Sequence, residues 1–146
     1  MPSATLDKNN EVIHGLIDIP RQEAIVLLEA GYFLMQLGKN REAKDIFSGA
    51  VALFPHSDIP CIALGHLYFS EGKTELAVKE QQRALQRVTT SATAFAHLGE
   101  ALFFLKKPDE AVEALQKAIE LDPKGLTAKF AKELLHANDL HVFDSR

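Results

Sequence analysis

From Ala24 to about Pro123 the chain is written in stretches whose apolar residues recur three and four positions apart, the spacing of one face of an α-helix. Two of these stretches align directly: REAKDIFSGAVALFP, Arg41 to Pro55, and DEAVEALQKAIELDP, Asp109 to Pro123. Their prolines are 68 residues apart, twice 34, and a middle copy, TELAVKEQQRALQRV, begins halfway at Thr74. Self-similarity at a fixed period of this length is the mark of a helical array in which each unit buries its apolar face on its neighbours. Three windows follow, 24–57, 58–91 and 92–125.

Within each window the same residue types fall at the same places. Ala30-Gly31, Leu64-Gly65 and Leu98-Gly99 recur in the first half, followed three residues on by Leu34, Tyr68 and Leu102. The second half carries Ala43, Ala77 and Ala111, then Ala50, Ala84 and Ala118, with Phe47 or Leu115 between them. A glycine in the middle of a helix costs about 1 kcal/mol against alanine. That cost is offset where another helix must approach closely, so Gly31, Gly65 and Gly99 predict tight packing of the two helices of each window. Gly38 and Gly72 stand where a first helix should end. Pro108 with Asp109 and Glu110 opens a helix with acidic residues at its positive end. This pattern resembles the tetratricopeptide repeat, and the resemblance covers about 100 residues. It implies an all-α superhelix of three helix-turn-helix repeats. Window two departs from the pattern: Gln81 replaces Phe47 and Leu115, and Thr89 replaces the proline, which predicts a longer or more loosely packed second helix there. Lys106 replaces the turn glycine in window three.

The flanks continue the helical theme. In residues 126–146, Leu126, Phe130 and Leu134 recur every four residues and predict a capping helix, with the final LHVFDSR expected to fray. Residues 1–23 hold Leu6, Val12, Ile13, Leu16, Ile17 and Ile19, too dense an apolar set for a free tail. A short helix ending near Asp18, before Pro20, is expected. It could cap the first repeat, form a homodimer contact or fold into the groove.

The first helix of each window carries a second stripe beside its packing face. It reads Ile25, Leu28, Tyr32, Met35, then Ile59, Ile62, His66, Phe69, then Thr93, Ala96, Glu100, Phe103. The intervals of three, four and three residues place each set on one face. In the family this resembles, that face lines a concave groove. The stripe predicts a binding groove with Tyr32 and Phe69 as anchors and a polar ladder of Tyr32, His66 and Glu100, with His97 beside it. His66, His97 and Glu100 lack any recognised ligand spacing, so neither a metal nor a cofactor is expected.

Composition narrows the function. A net charge of −4 and a pI near 5.8 argue against a nucleic-acid binder. No apolar run reaches the ~18 residues of a membrane span, and no secretory leader is visible at the start. Cys61 is the single cysteine, which forbids an intrachain disulfide and fits a reducing cytoplasm. There is no Gly-rich phosphate loop, nucleophile elbow or His-Glu-x-x-His, so catalysis is not expected.

Two kinds of repeat protein then compete. Tetratricopeptide co-chaperones that grip heat-shock-protein carboxylates use Lys, Asn and Arg on the groove, where this sequence has Leu28, Tyr32, Ala63, Thr93 and His97. The phrases GYFLMQLGKNREAKDIFSGAVALFP and IALGHLYFSEGKTELAV resemble the tetratricopeptide chaperones of bacterial type III secretion. That resemblance implies a cytoplasmic chaperone holding an apolar segment or amphipathic helix of an exported translocator or needle subunit. An assembly scaffold unrelated to secretion is the alternative.

Overall fold

The computed structural model describes Val12–Ile13 and residues 19–144. Among these, seven α-helices run in sequence: α1 (Arg21–Gln36), α2 (Asn40–Leu53), α3 (Ile59–Ser70), α4 (Thr74–Arg87), α5 (Ala92–Phe104), α6 (Pro108–Leu121) and α7 (Leu126–Asp139). Consecutive helices pack as the pairs α1/α2, α3/α4 and α5/α6, one pair per window, with α7 closing the stack against α5 and α6.

Close approach within each pair is built by the three mid-helix glycines. A methyl group on Gly31 would overlap the Phe47 ring, and one on Gly65 would overlap the Gln81 amide. A methyl on Gly99 would lie 2.6 Å from Leu115 Cγ. The recurrent alanines Ala43, Ala50, Ala77, Ala84, Ala111 and Ala118 are buried on the same seams, so the helix backbones meet with little side chain between them. The turns closing α1 and α3 place Gly38 and Gly72 at φ +74 and +76, the left-handed region that glycine enters without penalty. In the third turn Lys106 takes the same conformation at φ +61, and Lys107 N–H donates to Leu102 O as Lys39 and Lys73 do to Leu34 and Tyr68.

Window two differs less than its sequence suggested. α4 has 14 residues, as do α2 and α6, so the missing proline does not lengthen it. Val88 leaves the helix with an extended backbone, and Ser91 caps α5 by accepting from Ala94 N–H at 3.2 Å. Gln81 is nevertheless fully enclosed. It is 1% exposed, with its amide reaching Ile62 O at 3.4 Å. Arg87, at the end of α4, reaches back to the end of α2, where Nη1 donates to Val51 O, Phe54 O and Ser57 O at 3.0–3.3 Å. Carbonyls that no helical amide can satisfy thereby gain a charged donor from the next repeat.

The flanks depart from a simple helical pattern. Val12–Ile13 (β1) and Ile19–Pro20 (β2) form an antiparallel pair, Val12 opposite Pro20 and Ile13 opposite Ile19, and lie against α1, while the rest of the stretch expected as a short helix lies outside the described residues. Leu6, Leu16 and Ile17 lie outside the described residues. At the other end, residues 140–144 do not fray. They turn back on the stack, and Phe143 lies flat on Phe103 with ring centroids 4.6 Å apart. α7 buries Ala128 and Ala131, while Leu126 is left in solvent. No helix among the described residues is long and apolar enough to cross a membrane.

One seam stays open. Pro60 and Leu67 in α3, and Ala94 and Ala101 in α5, are buried, and each of these helices packs on the second helix of the preceding repeat. The residues 34 positions before Pro60 and Leu67 are Val26 and Phe33 of α1, which are 62% and 60% exposed. Leu37, one turn further on, is 55% exposed.

Candidate functional site

The second stripe of α1, α3 and α5 forms a connected line of side chains across all three repeats. Tyr32 Oη and His66 Nδ1 are hydrogen-bonded at 2.9 Å, 34 residues apart in sequence. The His66 and His97 rings meet edge to face with centroids 4.0 Å apart, and His97 Nδ1 lies 3.7 Å from Glu100 Oε1. α7 continues the line: Phe130 sits 5.2 Å from the His97 ring, and Thr127 Oγ1 meets Thr93 Oγ1 at 3.3 Å. Burial pushes the Tyr32 phenol up to about 12. Burial, helped by the neighbouring His97, lowers His66 to about 4, so the His66 imidazole is neutral at pH 7. Its Nε2 is buried without a hydrogen-bond partner among the described residues.

Not every residue of the stripe faces outward. Ile62, Ala96 and Phe103 are buried, at 4%, 0% and 1% exposed, and serve the packing of one first helix on the next. No partner can touch them while the stack is intact. Leu28, Tyr32 and Met35 are half-buried against the core, Ile25 and Ile59 are 42% and 49% exposed, and His66, Phe69 and Glu100 are half-buried. The surface available to a partner is therefore Ile25, Leu28, Ile59, Tyr32, Met35, Phe69 and the rim of the polar line.

The structure adds aromatic residues that the stripe omits. Phe104 is 57% exposed and packs edge-on against Phe69 with centroids 5.1 Å apart, and Phe143 meets Phe104 at 5.8 Å. Phe69, Phe104 and Phe143 make an aromatic patch at the C-terminal end of the first helices. Position 104 carries no repeat signal, because its equivalents are Ser70 and Gln36. Two of its helices have a distinct electrostatic character: α3 and α5 contain no lysine or arginine, and Glu100 is their one acidic residue. Among the described residues no group of three or more His, Cys, Asp or Glu is arranged to hold a metal ion.

Residues 92–124 and 60–87 each match a family model described as a tetratricopeptide repeat. The fold is a tetratricopeptide-repeat superhelix. A stretch of 124 residues, 85% of this chain, is 27% identical to mouse (Mus musculus) RNA polymerase II-associated protein 3, of whose length it spans 19%. Among solved structures, the first tetratricopeptide domain of Spaghetti (RPAP3), bound to the HSP90 peptide SRMEEVD, is 25% identical with a TM-score of 0.66, over 80% of this chain and 97% of that one. The Yersinia enterocolitica type III secretion chaperone SycD, in complex with a peptide of the translocator YopD, is 19% identical with a TM-score of 0.71, over 82% of this chain and 95% of that one.

Proposed function

We propose that this tetratricopeptide chain is a non-catalytic module that holds an apolar segment of a protein partner along the inner face of its first helices. The partner inferred is an exported subunit of a type III secretion system, kept from premature assembly in the cytoplasm. The carrying observation is the composition of that face. Ile25, Ile59, Phe69 and Phe104 offer apolar surface, while α3 and α5 supply no lysine or arginine. An acidic ligand such as SRMEEVD, which the Spaghetti domain holds, would meet Glu100 and find no cation on these helices. An apolar or amphipathic segment would bury side chains worth about 1.5–3 kcal/mol each on full burial, against the ordering cost of binding. Tyr32 and Phe69 are the anchors, and the line from His66 to Glu100 sets register.

A pull-down from the native cytoplasm with wild type and Phe69→Glu in parallel tests this reading, alongside calorimetric titration with SRMEEVD. One exported subunit captured by wild type and lost with Phe69→Glu, with no heat from SRMEEVD, is the expected result. Several unrelated partners indifferent to Phe69→Glu would point to an assembly scaffold using another face, and tight SRMEEVD binding would point to a heat-shock co-chaperone. The open seam of α1 supports pairing of two copies through the N-terminal end of the stack. Sedimentation of Phe33→Glu as a monomer, beside a dimeric wild type, is the matching expectation.

A further inference from the structure

We propose a second docking site, in the cleft between α4, α5 and α6, that takes a cationic amphipathic segment of a partner protein. The cleft measures about 590 Å³, within the range that receives a few side chains of a ligand. Its floor is Phe95, Leu98 and Leu102 of α5 with Ala114 of α6. On a helix turning 100° per residue, Phe95 and Leu98 project away from His97 and Glu100, so this site is separate from the inner face.

Two features set the cleft apart from the rest of the stack. First, its floor is left open. The residues 34 positions earlier, Cys61 and Leu64, are 0% and 4% exposed, whereas Phe95 and Leu98 remain half-buried with accessible surface. Second, the rim has a sign that the repeat does not dictate. Glu110, Glu113 and Glu120 stand around the floor with Lys117, and the equivalent positions of α4 are Leu76, Lys79, Gln86 and Arg83. Lys117 pairs with Glu120 at 3.7 Å, and Glu110 and Glu113 form no ion pair among the described residues.

Those features select the occupant by charge and shape. A neutral or acidic segment would cover Glu110 and Glu113 without supplying a counter-charge, which costs desolvation with nothing returned. Lysine and arginine carry long aliphatic stems that lie on apolar surface while their heads reach carboxylates at a rim. A segment with an apolar residue on Phe95 and Leu98, flanked by lysine or arginine toward Glu110 and Glu113, satisfies floor and rim together.

The probe is a fluorescein-labelled amphipathic helical peptide of leucine and lysine, read by anisotropy beside its leucine/glutamate counterpart. Variants are the exposed double change Glu110→Gln/Glu113→Gln and, as a control on the inner face, Phe69→Glu. The expected result is binding of the lysine peptide alone, weakened about tenfold by the double change, weakened by salt and untouched by Phe69→Glu. Amide shifts on peptide addition should centre on Phe95, Leu98 and Ala114. Equal binding of both peptides, indifference to the double change, or shifts centred on Tyr32 and Phe69 would each overturn the proposal. The control separates the sites: loss with Phe69→Glu alone would place the peptide on the inner face.

Discussion

At the residue scale, the two kinds of mid-helix glycine in this chain make opposite predictions. Gly31 has no room for a methyl group, since the Phe47 ring already occupies it. Gly49 lies within α2 with nothing within 4 Å of where its Cβ would be. Gly31→Ala should therefore destabilise the fold by about 1–3 kcal/mol through overpacking. Gly49→Ala should stabilise it by about 0.5–1 kcal/mol through helix propensity. Urea unfolding of the two variants should give midpoints on opposite sides of wild type, and a shift in the same direction for both would refute the close-packing account of the repeat glycines. Gln81 is the third instructive residue. It stands where Phe47 and Leu115 fill the other two pairs, its Oε1 is buried without a partner among the described residues, and its one bond, to Ile62 O, is long. Gln81→Leu should gain about 1–3 kcal/mol by removing that unsatisfied acceptor. An unchanged or lower midpoint would mean that an unseen group satisfies Oε1.

At the element scale, what was legible in the sequence is what repeats. Helix pairing, the glycine and alanine seams and the turns at Gly38 and Gly72 recur every 34 residues, and periodicity registers such features independently of side-chain detail. The 3-4-3 spacing also identified one face of each first helix, but spacing cannot report how far a neighbouring helix covers that face. Hence Ile62, Ala96 and Phe103 read as groove and are core. Features that occur once were not legible. Phe104 and Phe143 come together because the chain turns back after α7, and β1 pairs with β2 through backbone bonds that leave no apolar period. Arg87 belongs to this class, since it reaches across thirty and more residues to three carbonyls at the end of α2. Arg87→Met, which keeps the aliphatic stem, should cost about 1.5–3 kcal/mol, the range for hydrogen bonds from a charged donor. Arg83→Met, whose guanidinium lies 3.5 Å from Glu80, is the comparison on the same helix. Equal losses in the two would show that the clasp on α2 adds nothing to the stack.

At the scale of the whole molecule, the line Tyr32–His66–His97–Glu100 ties three repeats and α7 into one unit, and it makes stability depend on a proton. His66 is lowered from 6.5 to about 4 when folded, chiefly because burial disfavours the imidazolium and secondarily because His97 stands beside it. The unfolded chain therefore takes up a proton at His66 near pH 6.5, while the folded chain takes it up only near pH 4. A state that binds more protons gains as pH falls, so the folded state loses ground through the window from about 6.5 to 4. At 1.36 kcal/mol per unit, the loss is on the order of 3 kcal/mol, complete below the folded value and absent above the unfolded one. Acid acts on the rest of the chain as well, so the contribution of His66 has to be read as a difference. His66→Asn keeps an acceptor for Tyr32 and removes the titration. Urea unfolding of wild type and His66→Asn between pH 7.5 and 4.5 should show the wild type falling more steeply, with the curves diverging below pH 6.5. Parallel curves would mean that His66 reaches water more freely than its packing against Tyr32 and His97 allows, and the ladder would then be a surface feature and not a strut of the stack.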